Sequence, residues 1–149
     1  MFETYRHIIR KYPKISLYQE RRLIKQAQEH SKGKADELIL RHISFVIFRI
    51  HKIVYPVYRD RFSEDILSQI VLILYDKIQS YNLRYKDKQG NLKPVRFSSY
   101  IWKRIDGFII DYLKKELSRE RQQQSLDWKE SGNIGRTSQE RLTEKALSL

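Results

Sequence analysis

The stretch of this sequence richest in chemically useful residues runs from Arg84 to Arg104, where cations alternate with aromatic rings. Its single acid is Asp87. Cations can follow phosphates, and aromatic rings can stack on unpaired bases, so the stretch is typical of a surface that binds single-stranded nucleic acid. The cations are Arg84, Lys86, Lys88, Lys93, Arg96, Lys103 and Arg104, and the rings are those of Tyr85, Phe97, Tyr100 and Trp102, with Tyr81 just before the stretch.

On a helix that begins near Phe97, three of these residues fall within one turn: Tyr100, Lys103 and Arg104. Such a helix can present one stacking ring beside two cations. The alternative is that Phe97 and Tyr100 belong to the core and that the cations only solvate this face.

Catalytic patterns are missing from the sequence. Asp106 and Asp111 would diverge by about 140° around a helix, and there is no Gly-rich phosphate loop and no Ser/His/Asp arrangement. There is no cysteine, and the four histidines have no metal-ligand spacing. We therefore expect no enzyme activity, no catalytic residue, no metal and no cofactor.

The net charge of the chain indicates which class of molecule it is expected to bind. The chain has 149 residues with 30 Lys+Arg against 18 Asp+Glu, a formal charge of +12, and a pI of about 9.9. Such a balance favours a polyanionic partner, although a solvated basic surface without a specific ligand has the same composition.

No apolar run approaches the ~20 residues of a membrane helix, and the N-terminus lacks the apolar region of a signal peptide. We therefore expect no membrane partner and a cytoplasmic location.

Five glycines and three prolines predict an all-α fold of about four helices with a flexible C-terminal tail. A capping-box spacing at Ser16 begins the first helix, and Gly33 is expected to end it. The second helix is predicted over 34–55 and closed by Pro56; the third begins at the Ser63 cap and runs to about Tyr81; the fourth covers Phe97 to about Arg119. Residues 119–149 have a linker-like composition with a short amphipathic run, 139–147, that could become helical when bound.

The third predicted helix is more apolar than a surface helix requires. One stripe contains Ile66, Ile70 and Leu74, and a second stripe beside it contains Leu67 and Tyr75. Either this helix is central and covered on most sides, or part of it docks on another protein.

Four motifs in this order resemble those of bacterial RNA polymerase sigma factors over about residues 14–116. ISLYQERRLIKQAQ (15–28) resembles the family's "LT-x-EEE-x-x-LI-x-x-AQ", and ADELILRHISFV (35–46) resembles "AR-x-x-LI-x-x-N-x-x-LV". DILSQ (65–69) stands at the place of "DLIQE", and Tyr81-Asn82 at that of "FD". FSSY (97–100) resembles "FSTY" and is followed by RIDG (104–107) and IDYLK (110–114), as in alternative sigma factors.

This resemblance implies three segments: 1–33, similar to the end of sigma region one; 34–118, the helical region-two core; and the tail, 119–149. In the family, the "DLIQE" helix docks on the clamp coiled coil of the largest subunit of core RNA polymerase. The polymerase-binding residues would be Asp65, Ile66, Ser68, Gln69 and Tyr75.

The "FSTY" helix of the family captures the unpaired non-template strand of the minus-ten promoter element and holds a flipped adenine against its Tyr. The resemblance therefore implies promoter DNA as a second partner. The DNA-binding residues would be Arg84, Lys86, Lys88, Lys93, Arg96, Phe97, Tyr100, Trp102, Lys103, Arg104, Gly107, Asp111 and Lys114.

Some positions depart from the family pattern. Ser68, Gln69 and Ile70 replace Gln, Glu and Gly, so one carboxylate of the docking motif is lost. Lys103 and Arg104 stand where housekeeping members have paired Trp. Fourteen residues separate Asn82 from Phe97, about twice the family's usual number, and the surplus is basic.

Only 36 residues (149 minus 113) follow Leu113, too few for the family's C-terminal helix-turn-helix domain. We expect a small sigma factor that recognises the minus-ten element, with a separate protein for upstream contacts or an anti-sigma factor as a further partner; a truncated sequence is the alternative. Two other functions stay open: a sigma-like polymerase-binding regulator without promoter specificity, and a generic basic nucleic-acid-binding protein.

Overall fold

The computed structural model describes residues 2–131, and within this range the fold is all-α, as predicted. A 3₁₀ turn, Glu3–Tyr5, precedes five helices. These are α1 (Arg6–Lys11), α2 (Leu17–Gln28), α3 (Lys32–Ile53), α4 (Pro56–Ser80) and α5 (Phe97–Ser131). The chain divides between Ile110 and Asp111 into two compact units. The three-segment division at residues 33 and 118 stays a prediction.

The start of α2 confirms the capping box. Ser16 is the N-cap: its Oγ accepts a hydrogen bond from the backbone N–H of Gln19, and the Gln19 side chain accepts one from the N–H of Ser16. These two bonds satisfy donors that a helix terminus otherwise leaves unpaired.

The break between α2 and α3 lies earlier than predicted. Gly33 is inside the first turn of α3, so its assignment as the helix breaker was wrong. The chain turns instead at His30, whose φ is 69°, in the left-handed region that ends many helices. His is among the non-glycine residues enriched in that region.

The start of α4 is also corrected. Pro56 does not close the preceding helix, which ends at Ile53; it is the first residue of α4. Proline suits this position because its missing N–H would be unpaired there in any case. Ser63 is therefore not a cap: it lies one third of the way along α4, fully buried.

The helix α5 continues to Ser131, twelve residues beyond its predicted end near Arg119. The stretch from Arg119 to Lys129 contains neither Gly nor Pro and is rich in Arg, Glu and Gln, which are good helix formers. The predicted amphipathic run, 139–147, lies outside the described residues.

Within the first unit, α4 packs against both α2 and α3, and α1 packs against α3. Seven residues of α4 are buried, so the apolar excess of this helix is explained mainly by its central position. Phe97, Ile101, Ile105 and Ile109 of α5 are also buried. Among residues 2–131, no helix is long and apolar enough to cross a bilayer.

Candidate nucleic-acid interface

The first turn of α5 is held in place by a buried carboxylate. Glu20 of α2 accepts a hydrogen bond at Oε2 from the backbone N–H of Phe97, at 3.0 Å. Its Oε1 lies 3.3 Å from Nε2 of His42 on α3, and His42 Nδ1 lies 2.7 Å from the carbonyl oxygen of Leu38. The side chain thus connects α2, α3 and α5 at the point where the candidate site begins.

The environment of Glu20 favours its charged form. Burial is the largest single influence and raises the pKa, but four others together outweigh it: hydrogen bonds from His42 and the Phe97 N–H, and the charges of His42 and Arg96. The pKa of Glu20 therefore lies below its ordinary value of 4.5. A carboxylate at this place also suits the positive end of the α5 dipole.

Two residues predicted to bind DNA are held within the fold to different degrees. The Phe97 side chain is fully buried, where it lies edge-on to His42 at 5.0 Å. Arg96 is partly buried: its Nη2 donates to the carbonyl oxygen of Ile15 at 2.9 Å, and its Nη1 lies 3.9 Å from Glu20. Phe97 offers no open ring face, and part of the Arg96 charge is engaged within the fold.

Tyr100 lies on the rim of a cleft of about 370 Å³ between the α5 start and the connection that follows α4. The ring is partly exposed and stands perpendicular to Tyr81 at 5.3 Å, and its hydroxyl lies 2.7 Å from Ser80 Oγ. The cleft is lined by Tyr81, Asn82, Tyr85, Lys93, Val95, Ser99 and Tyr100. Aromatic walls with a few polar groups can receive a planar base.

Side chains of α2 fix the floor of this cleft. Gln28 donates to the carbonyl oxygens of Ile78 and Tyr81, at 2.9 and 2.7 Å, and Arg21 donates to that of Leu83 at 2.7 Å. The Tyr81 hydroxyl donates to the carbonyl oxygen of Val95. The bonds from α2 hold the first end of the connection, and the Tyr81 bond joins this end to the last one.

Lys77 was missing from the predicted site. Its ammonium group lies 5.2 Å from the centre of the Tyr100 ring, a cation–π distance. The sequence could have indicated Lys77 by its position alone. It lies in the last turn of α4, shortly before the stretch of cations and aromatic rings that was already predicted to bind nucleic acid.

The exposed face of α5 in the first unit has two flanks. Tyr100, Arg104 and Gly107 share one flank, whereas Trp102 lies about 160° away from Tyr100. Lys103 stands between the two flanks. All five are at least partly exposed, so the structure keeps them on the surface but does not bring Trp102 to the Tyr100 cleft.

Trp102 lies beside an ion pair. Arg49 of α3 forms two hydrogen bonds with Asp106, and its guanidinium lies 5.8 Å from the centre of the Trp102 ring. The bond to Asp106 raises the pKa of Arg49 above its ordinary value. The Lys103 ammonium approaches the same ring at 5.6 Å.

The sequence Gln89-Gly90-Asn91 predicts a turn in the connection between α4 and α5, and the chain does turn there, at Gly90, whose φ is 83°. Asp87 organises this turn, since its carboxylate accepts from the N–H groups of Gln89 and Asn91, both at 2.9 Å. Lys86 forms an isolated β-bridge with Leu92. The four cations predicted to contact DNA here are all exposed: Arg84, Lys86, Lys88 and Lys93.

The outer face of α4 contains most of the residues predicted to bind polymerase. Asp65 and Ser68 are exposed, and Gln69 donates to Asp65 at 3.2 Å. Ile66 is fully buried, so it cannot contact a partner directly, which corrects that assignment. Tyr75 is partly buried, and its hydroxyl bonds to Asp36; this bond, the largest cause, raises the Tyr75 pKa.

Leu72 was also missing from the prediction. It is 69% exposed and lies on the same face as Asp65, Ser68 and Gln69, one turn beyond Ser68. The sequence showed an apolar excess on this helix, but could not say which apolar residue the packing leaves uncovered.

A second cavity, of about 140 Å³, lies near the start of α5 and is lined by residues including Arg41, His42, Phe45, Arg96 and Ser98. Two nitrogens of its lining residues are buried without a hydrogen-bond partner, Nε of Arg41 and Nη1 of Arg96. Such donors can bind a polar or anionic group.

The last two predicted DNA-binding residues, Asp111 and Lys114, belong to the second unit, where both are exposed. Within residues 2–131, no group of three or more His, Asp or Glu side chains is placed to hold a metal ion.

Comparisons with protein-family models, with curated proteins and with solved structures find no match for this chain.

Proposed function

We propose that this protein is a sigma factor, which binds core RNA polymerase and directs it to promoters by capturing the melted minus-ten strand. The observation that carries the proposal is the cleft beside Tyr100. A partly exposed ring, apolar walls and the ammonium groups of Lys77 and Lys93 occur together at the end of the α4–α5 connection. This is the equipment needed to accept an unpaired base and hold its phosphate.

A second observation supports the polymerase contact. The outer face of α4 presents Leu72 among Asp65, Ser68 and Gln69, at the position of the family's docking motif. Leu72 would be the apolar anchor of this contact, since a polar rim surrounds an apolar core in a protein interface. The sigma motifs of the sequence connect this face with the Tyr100 cleft in a single function.

The strand-capture step is tested with Tyr100→Ala and Tyr100→Phe in open-complex formation by the reconstituted polymerase on a cognate promoter. Stacking of a base on an aromatic ring contributes about 1–3 kcal/mol, so Tyr100→Ala should lower open-complex formation by about ten- to a hundredfold. Tyr100→Phe should retain most of it, because the ring face rather than the hydroxyl stacks. Normal open-complex formation by Tyr100→Ala would remove the main support for the proposal.

The docking step is tested by retention of core polymerase on immobilised protein. Asp65→Ala, Gln69→Ala and Leu72→Ala should each weaken binding, with Leu72→Ala losing about fivefold or more, as expected for an interface anchor worth about 1 kcal/mol or more. Val57→Ala is the matched control, because Val57 is an equally exposed apolar residue in the first turn of the same helix. Equal binding by all four variants, with unchanged helical circular dichroism, would show that this face does not dock.

A further inference from the structure

One side of α3 presents an exposed ring and an exposed cation, those of Phe48 and Lys52, and the partly buried Arg49 lies beside them. We call Phe48, Arg49 and Lys52 the α3 strip, since Lys52 lies one turn beyond Phe48 and Arg49 lies between them along the chain. Phe48 is 59% exposed, and in the described part of the chain no other ring packs against it. A phenylalanine left this open gives up much of the stabilisation that its burial would contribute.

The α3 strip continues onto α5 through Trp102. The Arg49 guanidinium lies 5.8 Å from the centre of the Trp102 ring, and the Lys103 ammonium lies 5.6 Å from it on the α5 side. Trp102 is itself 39% exposed. Rings and cations therefore alternate across two neighbouring helices, starting at Phe48 and ending at Lys103.

The charges on this surface favour a polyanion. Arg49 is largely neutralised by its two hydrogen bonds to Asp106. Lys52 and Lys103 are exposed, and neither has an acidic partner within 4 Å among residues 2–131. Lysine is depleted from protein–protein interfaces, whereas open rings beside free ammonium groups are typical of surfaces that follow single-stranded nucleic acid.

We propose that the α3 strip, with Trp102 and Lys103, is a second contact for single-stranded DNA, separate from the Tyr100 cleft. The inference rests on the proposed function in that both contacts would hold the same melted strand. Tyr100 and Trp102 occupy opposite flanks of α5, with Lys103 between them. A strand that leaves the cleft therefore crosses α5 at Lys103 and reaches the strip, where bases stack on Trp102 and Phe48 while Lys52 neutralises a phosphate.

The test uses the full chain without polymerase and a fluorescently labelled oligo(dT) of about 16 nucleotides in low-salt buffer. Anisotropy gives the affinity of the wild type and of Phe48→Ala/Lys52→Gln. The matched control, Tyr18→Ala/Lys25→Gln, removes an even more exposed ring and a cation from α2. A second measurement follows the fluorescence of Trp102 in a Trp128→Phe background, because stacking of a base quenches the indole.

We expect the strip variant to bind oligo(dT) about tenfold or more weakly, since at least one stacking contact and one phosphate contact are lost. The control should stay within twofold of the wild type, and oligo(dT) should quench Trp102. Wild-type affinity in the strip variant, absence of quenching, or no oligo(dT) binding by the wild type would each overturn the inference. Because polymerase is absent, failure of the docking or open-complex experiments is a separate result that concerns only the proposed function.

Discussion

At the scale of single residues, the position of Tyr100 depends on a side chain that has no place in the predicted site. Glu20 lies in the motif that resembles the sigma-factor opening, residues 15–28. In the fold it is 4% exposed and accepts the first backbone N–H of α5. Its carboxylate fixes where α5 begins, one turn before Tyr100.

Glu20→Gln should therefore change how the free energy of unfolding depends on pH, relative to the wild type. The folded-state pKa of Glu20 lies below 4.5, so its contribution is fully present above that pH and is lost as the pH falls through the folded value. Near neutral pH the variant should lose about 1.5–3 kcal/mol of unfolding free energy, the usual contribution of a hydrogen bond to a charged group. The difference from wild type should shrink in acid, as measured by urea unfolding across the pH range.

Glu37→Gln is the control for this titration. Glu37 pairs with Arg41 one turn away on α3 and is more exposed, so its loss should cost only about 0.3–0.5 kcal/mol. A Glu20→Gln deficit of the same size in acid as at neutral pH would contradict the role given to the charge.

At the scale of elements, the start of α4 shows how a local signal can be overridden. Ser63-Glu64-Asp65 has the composition of a cap and an acidic first turn, yet the helix begins seven residues earlier, at Pro56. The earlier start extends α4 by about two turns and buries Phe62 and Ser63. The Ser63 hydroxyl is left buried without a hydrogen-bond partner.

Replacement of Ser63 by Ala distinguishes a helix N-cap from a buried residue within a helix, because the two assignments predict different directions of change in the free energy of unfolding. A true N-cap loses about 0.5–2 kcal/mol on substitution by Ala. Removal of a buried, unpaired hydroxyl from the interior of a helix should instead leave the unfolding free energy unchanged or raise it by about 1 kcal/mol. Ser16→Ala is the internal reference, because Ser16 is the observed cap of α2 and should show the loss. Urea unfolding of both variants gives the answer, and destabilisation by Ser63→Ala would reject the buried assignment.

At the scale of the whole molecule, the cations behind the net charge of +12 differ in how far the fold engages them. Arg49 is paired within the fold and Arg96 is anchored there, whereas Arg84, Lys86, Lys88 and Lys93 stay exposed on the connection between α4 and α5. Four exposed cations are thus grouped on the connection that borders the Tyr100 cleft.

Lys86→Gln/Lys88→Gln should therefore weaken promoter binding by the polymerase complex without changing which promoter is preferred. Each duplex phosphate contact adds about 0.9 to the slope of log affinity against log salt, so the slope should flatten by about 1.8. Arg22→Gln/Lys25→Gln removes the same charge from the exposed face of α2 and should leave the slope unchanged. Equal slopes for the wild type and the Lys86/Lys88 variant, measured by filter binding over a range of salt, would place the phosphate contacts elsewhere.

The sequence by itself determined the all-α class, the capped start of α2, the start of α5 at Phe97 and the glycine turn at Gly90. Each depends on interactions between residues close in the chain: a capping box, an apolar period, or a backbone angle that glycine adopts readily. The motifs that suggested strand capture are local in the same way. Helix ends were predicted less well, because His30 and Pro56 each admit more than one local structure.

Only the tertiary structure decided which residues of each motif face outward. Phe97 and Ile66 lie within motifs that predicted contacts, yet both are fully buried, whereas Leu72 and Phe48 remain open. The physical reason is that burial depends on the helices that pack against each face, and those contacts join residues far apart in the chain. The pairing of Glu20 with the first turn of α5 has the same origin, since 77 positions separate its two partners.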